Sequence, residues 1–477
     1  MPTRPPIPRR DVLKSLLLSG TACLAGNSFL PTLASAQSNP KPPNIILIMT
    51  DDQGQWALGC YGNREIKTPT IDQLAADGVR FSHAYANTPV CSPSRATFMT
   101  GLIPSQHGIH DWIKNENVGP RARCLVSRFP LFTDVFSAHG YTCGLSGKWH
   151  LGDSLNAHKS FSYWFTIPQG SSQYNDADVI WNGKIEKSPG YLTDRITDHA
   201  IDFIEKNQDQ PFFLDVQYTA PHGPWEGHPE EFLKLYENCP FDSIPRVPTH
   251  PWASANINNN IGNPQKLAQY FASISAVDAG VARILETLDK TGLRGNTIVI
   301  FASDQGFQCG HNGLWGKGNA SNPRNMFEES MLIPLIYSGP NLPQRGLVLD
   351  QFVSAYDFMP TILELAGLNM PTAFRYPGRS YAPLLQGREA AWEDLVYGEY
   401  GRTRMVRTSE WKYVHRSDGG PHELYNLVLD PREDRNVAQD PFHNEHRLRL
   451  RKMIDDWFAE YAEGDANPVG QEYHRPE

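Results

Sequence analysis

The sequence predicts an α/β sandwich with a large mixed, mainly parallel β-sheet and a smaller C-terminal α+β subdomain. Three observations support this prediction. Near-continuous apolar runs, typical of strands buried on both faces, recur along the chain. Segments with helical periodicity separate these runs. Near residue 388 the pattern changes to alternating strands followed by a terminal helix.

The strand predictions rest on apolar runs. Residues 44–49, 212–216 and 297–301 are almost entirely apolar, and residues 141–145 form a weaker fourth run. Runs of this kind that alternate with helices indicate a sheet that is covered on both faces. We therefore expect these four segments to form buried strands.

Two helices are predicted from periodicity and end signals. From Leu267 to Leu288 the apolar residues follow helical spacing, and Gly292 beyond them is a stop signal. Another helix begins at Thr68-Pro69 and ends near Asp77-Gly78. Residues 221–264 are instead rich in Pro, Gly and Asn, which predicts a long loop, either functional or a simple surface insertion.

The chain after residue 388 is predicted to form a small lobe of its own. Residues 411–414 alternate in the manner of a solvent-facing strand, and residues 423–427 follow as a second strand after a Gly-Gly turn. A terminal helix is expected from about His446 to Tyr461. The predicted organisation is a signal segment at 1–36, the main α/β domain at 37–388 and the α+β subdomain at 389–477.

The first 36 residues have the features of an export signal. Basic residues at positions 4–14 precede a short apolar stretch at 16–25 and the small residues Ala34-Ser35-Ala36. The Arg9-Arg10 pair is typical of the twin-arginine route, which carries folded proteins across a bacterial membrane. The alternative is a short membrane anchor, but the stretch is too short and too interrupted to span a bilayer.

Composition limits the classes of function. Of the 477 residues, 40% are hydrophobic and 20% are charged, which suits a folded chain with a sizeable core. The formal charge is -9 and no long basic run compensates it, so we expect no nucleic-acid partner. No later stretch suits a membrane helix, and we expect no stable membrane association.

Polar clusters follow the predicted strands directly. In a doubly wound sheet, ligands bind outside the carboxyl ends of the strands, so these clusters are expected to converge. Three carboxylates and an amide oxygen suit a hard divalent cation such as calcium or magnesium, although a single Asp-Asp turn would be unremarkable. The clusters are Asp51-Asp52-Gln53-Gly54, Gly147-Lys148-Trp149-His150, Ala220-Pro221-His222 and Asp304-Gln305-Gly306.

A further motif is Cys91-Ser92-Pro93-Ser94-Arg95. Pro93 and Ser94 suit the start of a helix, which puts Cys91 at its positive end. Such an end binds sulfate or phosphate through free backbone N–H groups, and Arg95 lies one turn further along. The alternative is a buried structural cysteine before a helix.

This segment resembles the cysteine-x-proline-x-arginine signature of the type I sulfatases of the alkaline phosphatase superfamily. The resemblance covers nearly the whole mature chain and implies an alkaline-phosphatase-like sandwich. One departure is Gln305, where the family usually has Asn or His; Gln keeps an oxygen ligand but adds a methylene. The other matching motifs are the Asp51-Asp52 pair, residues 147–152, Ala220-Pro221-His222, residues 303–306, Gly316-Lys317-Gly318 and the 411–413 region.

The resemblance also implies a cofactor and a modification. In the family, the signature cysteine is oxidised by a maturation enzyme to formylglycine (3-oxoalanine), so Cys91 is the expected site. One calcium ion is then expected to bind an oxygen of modified Cys91 together with four other residues. These are Asp51, Asp52, Asp304 and Gln305.

The implied chemistry is in-line attack on sulfur by one hydroxyl of the hydrated formylglycine. Lys148, Lys317 and Arg95 neutralise the transferring group, and His222 protonates the leaving oxygen. The second hydroxyl then loses its proton, with His150 as the candidate helper, and sulfate is expelled. A sulfated Ser or Cys has no second hydroxyl for this step, which explains the need for an aldehyde.

Substrate contacts are less defined by the sequence. His311, His110 and Trp112 are the candidates, because an aromatic face suits carbohydrate stacking and these residues flank the motifs. The alternatives are a loop histidine with structural hydrogen bonds and a tryptophan in the core.

The expected function is hydrolysis of a sulfuric ester on a sulfated carbohydrate, by a bacterial protein that is periplasmic or secreted. The expected partners are this substrate, the formylglycine-generating enzyme and the twin-arginine machinery. A phosphonate or phosphodiester hydrolase of the same superfamily is an alternative, and a catalytically silent binder of sulfated glycans is another. The sequence leaves open the sugar, the sulfated carbon, endo or exo action and the oligomeric state.

Overall fold

An eleven-stranded sheet organises the computed structural model, which describes residues 41–255, 259–343 and 346–462. The export signal predicted at residues 1–36 lies outside the described residues. The strands of the large sheet are β1 (Asn44–Asp51), β2 (Val79–Tyr85), β3 (Thr142–Gly147), β4 (Tyr163–Thr166), β5 (Asn175–Trp181), β6 (Lys184–Tyr191), β7 (Phe212–Pro221), β8 (Thr297–Ser303), β9 (Leu332–Ile333), β10 (Leu335–Ser338) and β11 (Leu347–Ser354).

The strand order is β11-β2-β10-β8-β1-β7-β3-β4-β5-β6, and β9 pairs with β2. The five central strands β8, β1, β7, β3 and β4 are all parallel, whereas β10 and the β5–β6 hairpin pair antiparallel. The predicted mixed sheet with a parallel centre is therefore confirmed. All four predicted strands belong to that centre.

Helices cover both faces of the sheet. Ile46 and Ile48 of β1 contribute to a core on one face that includes α5 and α7, whereas Ile45 and Leu47 face the core that includes α2, α4 and α9. This alternation follows from the period of two along a strand, and it explains why β1 is apolar throughout. The helices are α1 (Pro69–Ala76), α2 (Cys91–Thr100), α3 (Pro104–His107), α4 (Phe132–Ala138), α5 (Leu192–Lys206), α6 (Glu230–Leu233), α7 (Pro264–Lys290), α8 (Glu328–Met331), α9 (Phe358–Leu365), α10 (Ala382–Leu385) and α11 (Asn444–Tyr461).

The predicted helices α1, α7 and α11 are present. Gly292 after α7 has φ 70°, the left-handed conformation expected at a helix stop. Within the described part of 221–264, little regular structure occurs before α7 apart from α6 and a short 3-10 turn. Among the described residues, no helix combines the length and apolarity needed to cross a membrane.

A second, antiparallel sheet of four strands lies in the C-terminal region, with α11 packed on it. Its strands run in the order β12-β13-β14-β15. The domain boundary at residue 388 stays a prediction. The strands are β12 (Leu395–Tyr400), β13 (Thr403–Thr408), β14 (Trp411–Arg416) and β15 (Glu423–Asn426).

The prediction of a solvent-facing strand at 411–414 is wrong, because β14 is buried along its whole length. Trp411 and Tyr413 pack in one core with residues of α11, while Val414 packs in another with Tyr85 of the large sheet. The alternation therefore reflects two different buried faces. Lys412 lies between two acidic residues, which permits its burial.

The loop before α2 is hydrogen-bonded to β12. Asn87 Nδ2 donates to the Tyr397 carbonyl at 3.0 Å, and Thr88 Oγ1 donates to the Glu399 carbonyl at 2.7 Å. The second sheet therefore contacts the segment that leads into Cys91.

Candidate active site

Four strand ends bring the predicted site residues together. β8, β1, β7 and β3 are neighbours and run parallel, so their carboxyl ends lie at one edge of the sheet. Asp51 ends β1. The residues that directly follow β8, β7 and β3 are Asp304, His222 and Lys148.

Two backbone features shape this edge. Gly147 at the end of β3 has φ 119°, and a Cβ there would overlap the Gln217 carbonyl, so this close approach requires glycine. Asp52 has φ 66° although it is not glycine. Such conformations cost free energy and persist where surrounding contacts hold them, as they often do at functional sites.

Cys91 is the first residue of α2, which begins after the extended Val90. All ten residues of α2 are buried, because the helix lies inside the core that also holds α9. Cys91 Sγ lies 2.8 Å from Lys317 Nζ, 3.6 Å from Asp51 Oδ1 and 3.9 Å from Gln305 Nε2. The cysteine thus faces the charged cluster from the positive end of a helix.

The cluster contains three carboxylates and three cations, all nearly inaccessible to solvent. Lys148 Nζ contacts Asp51 Oδ2, and Lys317 Nζ lies 2.6 Å from Asp52 Oδ1. Arg95 lies 2.8 Å from Asp304 Oδ2. The formal charges of the three carboxyl groups and the three cations therefore offset one another within the protein, which permits their burial.

The Arg95 guanidinium makes contacts in several directions. Nε donates to Asp304 Oδ2 at 2.9 Å, and NH1 donates to the Lys148 carbonyl at 3.1 Å and to Gln217 Oε1 at 2.7 Å. NH2 lies 3.7 Å from Asp51 Oδ2. Arg95 therefore holds two of the carboxylates in position relative to each other.

The pKa values of Asp51 and Asp304 are shifted in opposite directions. Burial would raise the pKa of Asp51, but the charges of Lys148, His222, Lys317 and Arg95 hold it well below its usual value. Burial and the negative charge of Asp51 raise the pKa of Asp304 to about 7. Nearby carboxylates of this kind are stabilised by a shared cation.

The donor set fits a divalent cation. Gln305 Oε1 is buried and has no hydrogen-bond partner in the described part of the chain, while Nε2 lies 2.5 Å from Asp52 Oδ1. A half turn of this amide brings the oxygen to the side of the carboxylates, the arrangement that an oxygen-preferring cation requires. Within the described residues, Asp51, Cys91 and His222 also offer ligand atoms within 4.8 Å of one another.

His222 lies beside the carboxylates. Its Nδ1 lies 2.8 Å from the Gly223 carbonyl, and Nε2 lies 3.7 Å from Asp52 Oδ2. Burial lowers the pKa of His222, although Asp52 and Asp51 oppose this. The Nδ1–H donation to Gly223 fixes the ring so that Nε2 faces the cluster.

His150 is held by a different segment. Nε2 donates to the Ile113 carbonyl at 2.9 Å, and φ is 53°. Burial and the charge of Lys148 lower its pKa well below the usual value, so the ring is neutral at pH 7. Nδ1 is therefore an acceptor; it is buried, with no hydrogen-bond partner in the described part of the chain.

The three predicted substrate contacts lie in different surroundings. His110 is buried, with Glu399 and Arg404 as its charged neighbours. Trp112 is 38% exposed, and Lys114 Nζ lies 4.7 Å from its ring centroid. His311 Nδ1 donates to the Gln308 carbonyl at 2.6 Å, and the ring packs on Trp56. Their substrate-binding roles stay predictions.

Sequence reasoning missed the polar residues behind Arg95. Gln217 Nε2 donates to Asp215 Oδ1 at 2.5 Å, and burial raises the pKa of Asp215 to about 7. Ser94 Oγ donates to the Asp304 carbonyl. The available signal was Asp215 itself, a carboxylate inside an otherwise apolar strand.

Comparison with known proteins identifies the family. The Sulfatase family model matches residues 43–368, and a model described as N-sulphoglucosamine sulphohydrolase, C-terminal, matches residues 317–460. The chain therefore belongs to the sulfatase family. The predicted enzyme class and the resemblance drawn from the motifs are confirmed.

Two curated relatives span nearly the whole chain. An N-acetylglucosamine-6-O-sulfatase of Bacteroides thetaiotaomicron is 27% identical, with 93% of this chain and 91% of the relative covered. The iduronate 2-sulfatase of Homo sapiens is 31% identical, with 91% of this chain and 98% of the relative covered.

Solved structures agree on the fold. One, a complex with its substrate D-glucosamine-2-N,6-O-disulfate, has a TM-score of 0.76 and 25% identity, covering 90% of this chain and 99% of that chain. The phosphonate monoester hydrolase of Agrobacterium radiobacter has a TM-score of 0.70 at 22% identity, covering 88% and 96%. The second likeness concerns the fold alone.

Proposed function

We propose that this sulfatase removes sulfate from a sulfated carbohydrate, with formylglycine derived from Cys91 and one calcium ion. The observation that carries the proposal is the position of Cys91 Sγ, 2.8 Å from Lys317 Nζ and 3.6 Å from Asp51 Oδ1 at the start of α2. The carbohydrate class is supported by the relatives, one of which is an N-acetylglucosamine-6-O-sulfatase.

Calcium would be held by Asp51, Asp52, Asp304 and Gln305 and would supply positive charge at the sulfate oxygens. Hydrated formylglycine at position 91 would supply the oxygen that attacks sulfur. Because three carboxylates balance three cations, an added divalent cation makes the site positive overall. A positive site at a helix N-terminus favours an anionic ester.

Lys148 and Lys317 would donate to the sulfate oxygens, and Arg95 would keep Asp304 and Asp51 in place. Both lysines already lie at the carboxylate side of Cys91, which supports this assignment. Preorganised donors of this kind stabilise charge that develops in the transition state.

His222 would protonate the leaving oxygen through Nε2. Burial lowers its pKa, but the negative charge of a bound sulfate ester favours the protonated ring. The Nδ1 contact with the Gly223 carbonyl fixes the orientation that this transfer needs. His150 would accept a proton at Nδ1 when sulfate is released.

The test combines peptide mass spectrometry with an aryl sulfate assay on protein from a host that has the formylglycine-generating enzyme. We expect an aldehyde at residue 91, and we expect Cys91→Ala to abolish turnover while the melting temperature is kept. Cys143→Ala, which changes another buried free thiol, is the matched control. An intact thiol in fully active protein, or an active Cys91→Ala variant, would contradict the proposal.

The substrate class is tested with a panel of defined sulfated saccharides and an aryl phosphodiester. We expect higher kcat/KM values on sulfate esters than on the phosphodiester. The opposite order would favour the phosphonate or phosphodiester hydrolase alternative, and binding of sulfated glycans without turnover would favour the silent binder.

We further propose that the protein is exported by the twin-arginine route to the periplasm or beyond. The Arg9-Arg10 pair before an apolar stretch supports this. Replacing both arginines by lysine should leave active enzyme in the cytoplasm. The control variant Arg4→Lys should be exported like wild type. Normal secretion of the double variant would refute the route.

A further inference from the structure

An ion pair joins two distant segments beside the site. Arg324 NH2 lies 3.1 Å from Asp111 Oδ2, and the two residues are 213 positions apart. Tyr400 OH donates to Asp111 Oδ1 at 2.8 Å, and the Arg324 guanidinium lies 5.1 Å from the Tyr400 ring centroid. Three segments thus build one polar cluster, Asp111–Arg324–Tyr400.

The cluster adjoins the reaction centre on two sides. The Tyr400 ring packs on Gly318, where an added Cβ would lie 3.0 Å from a ring carbon, and Gly318 follows Lys317. On the other side, the Ile113 N–H donates to Ser92 Oγ at 3.1 Å, next to Cys91. Asp111 is therefore two positions before Ile113, whose N–H contacts the residue that follows Cys91.

Exposure rises outward through this cluster. The Lys317 side chain is 7% exposed, Asp111 is 9% and Arg324 is 27% exposed. Trp112, which follows Asp111, is 38% exposed. The cluster thus forms a rim between the buried charges and solvent.

Arg324 lies in a loop that is held in place. Its carbonyl accepts a hydrogen bond from the buried Arg416 at 2.7 Å. The next residue, Asn325, donates to the Lys317 carbonyl at 3.1 Å and accepts from Ser330 Oγ at 2.9 Å. These contacts tie the Arg324 loop to the backbone of Lys317.

We infer that Asp111 and Arg324 recognise the hydroxyl groups of the sulfated sugar unit, with Trp112 offering an aromatic surface at the rim. This inference rests on the proposed function. Asp111 accepts from sugar hydroxyls and Arg324 donates to sugar oxygens, which together suit neighbouring hydroxyls of a pyranose ring. Because the two charges cancel, the pair favours neutral hydroxyls over a second anionic group.

The test compares Asp111→Asn and Arg324→Gln with wild type on two substrates. One is 4-nitrophenyl sulfate, which lacks sugar hydroxyls, and the other is the monosaccharide sulfate that wild type cleaves fastest in the panel. We expect the ratio of saccharide to aryl kcat/KM to fall roughly tenfold to a hundredfold, as for loss of a hydrogen bond to a charged group. With wild type, kcat/KM should fall by a similar factor when the substrate is a deoxy analogue that lacks a hydroxyl next to the sulfated carbon. With the variants, the same analogue should lower kcat/KM little further, because the hydrogen bond is already lost.

Arg195→Gln is the control, because Arg195 forms a comparable ion pair with Asp198 on α5 at 3.0 Å. Equal losses on both substrates, with the melting temperature kept, would show that the pair acts only through the Lys317 loop and would overturn the inference. An unchanged ratio would also overturn it. A wild type that cleaves the aryl ester but no saccharide would contradict the proposed substrate class and this subsite together, while leaving the sulfatase activity intact.

Discussion

At the scale of single residues, Gln305 shows how one added methylene is accommodated. The longer side chain places its amide against Asp52, at 2.5 Å from Nε2 to Oδ1, and still reaches within 3.9 Å of Cys91 Sγ. Its oxygen is one of several buried acceptors that lack a hydrogen-bond partner in the described structure. Direct contact of Gln305 with a cation is therefore compatible with this geometry, since the amide can turn.

Gln305→Ala should weaken calcium binding by about tenfold, because one oxygen ligand is lost while the three carboxylates stay. Isothermal titration calorimetry on the purified protein measures this without reference to turnover. Gln210→Ala, at an exposed position, should bind calcium like wild type. An unchanged Kd for Gln305→Ala would show that Gln305 is not a ligand.

At the scale of elements, β14 connects the two sheets through a buried charge network. Lys412 Nζ lies 3.0 Å from Glu328 Oε1 in α8 and 2.7 Å from Glu433 Oε1. Tyr85 of β2 donates to Glu328 Oε2 at 3.0 Å. Arg407 of β13 also lies 3.4 Å from Glu328 Oε2, so two cations of the second sheet hold the two carboxylates.

Lys412→Met should destabilise the protein by about 3–5 kcal/mol, because buried Glu433 loses its cation and Glu328 keeps only Arg407 as a partner. Urea unfolding measures the free energy, and hydrogen exchange should show faster opening of β12 to β14. Lys452→Met is the control, since Lys452 pairs with Asp456 on the exposed side of α11. Equal stability of the two variants would contradict the proposed role of Lys412.

The strand ends show how far the sequence predicts the site. Apolar runs followed by Asp51, Lys148, His222 and Asp304 predicted their convergence, because parallel neighbours end at the same edge. The contact between Asp111 and Arg324 could not be predicted, since 213 positions separate them and neither belongs to a periodic element. Local patterns carry no information on such pairings.

At the scale of the whole molecule, two apolar cores enclose the central strands, and stability depends on the acidic groups inside them. Asp215 in β7 is 1% exposed, and its hydrogen bond from Gln217 does not offset the loss of water. Burial raises its pKa from 3.8 to about 7, so the folded protein binds this proton more tightly than the unfolded chain. The stabilising effect of that proton is present at low pH and is lost as the pH rises through about 7.

Asp215→Asn should remove this pH dependence. Relative to wild type, the variant should gain stability between about pH 5 and about pH 8, by about 3 kcal/mol. Urea unfolding at both pH values measures the difference. A constant difference between the two proteins across this range would contradict the assignment.

Fold class was predictable because the apolar runs determine which strands are buried on both faces. The burial of β14 was not predictable from the sequence. Trp411 and Tyr413 alternate with other residues in the same way as in a strand that has one solvent-exposed face. Only the presence of Glu328 and Glu433 in other parts of the chain makes burial of Lys412 possible. Burial of a charge is decided by partners that are distant in the chain.

The hydrogen bonds from Asn87 and Thr88 to β12 have a consequence for biosynthesis. The loop before Cys91 leaves the ribosome long before its partner strand exists, since about 300 residues separate them, which is roughly 15 to 60 s of translation. Throughout that interval the segment lacks the carbonyl groups of Tyr397 and Glu399 as acceptors. Under the proposed modification, the enzyme that converts Cys91 would therefore have until about the last sixth of translation before the final contacts around residue 91 form.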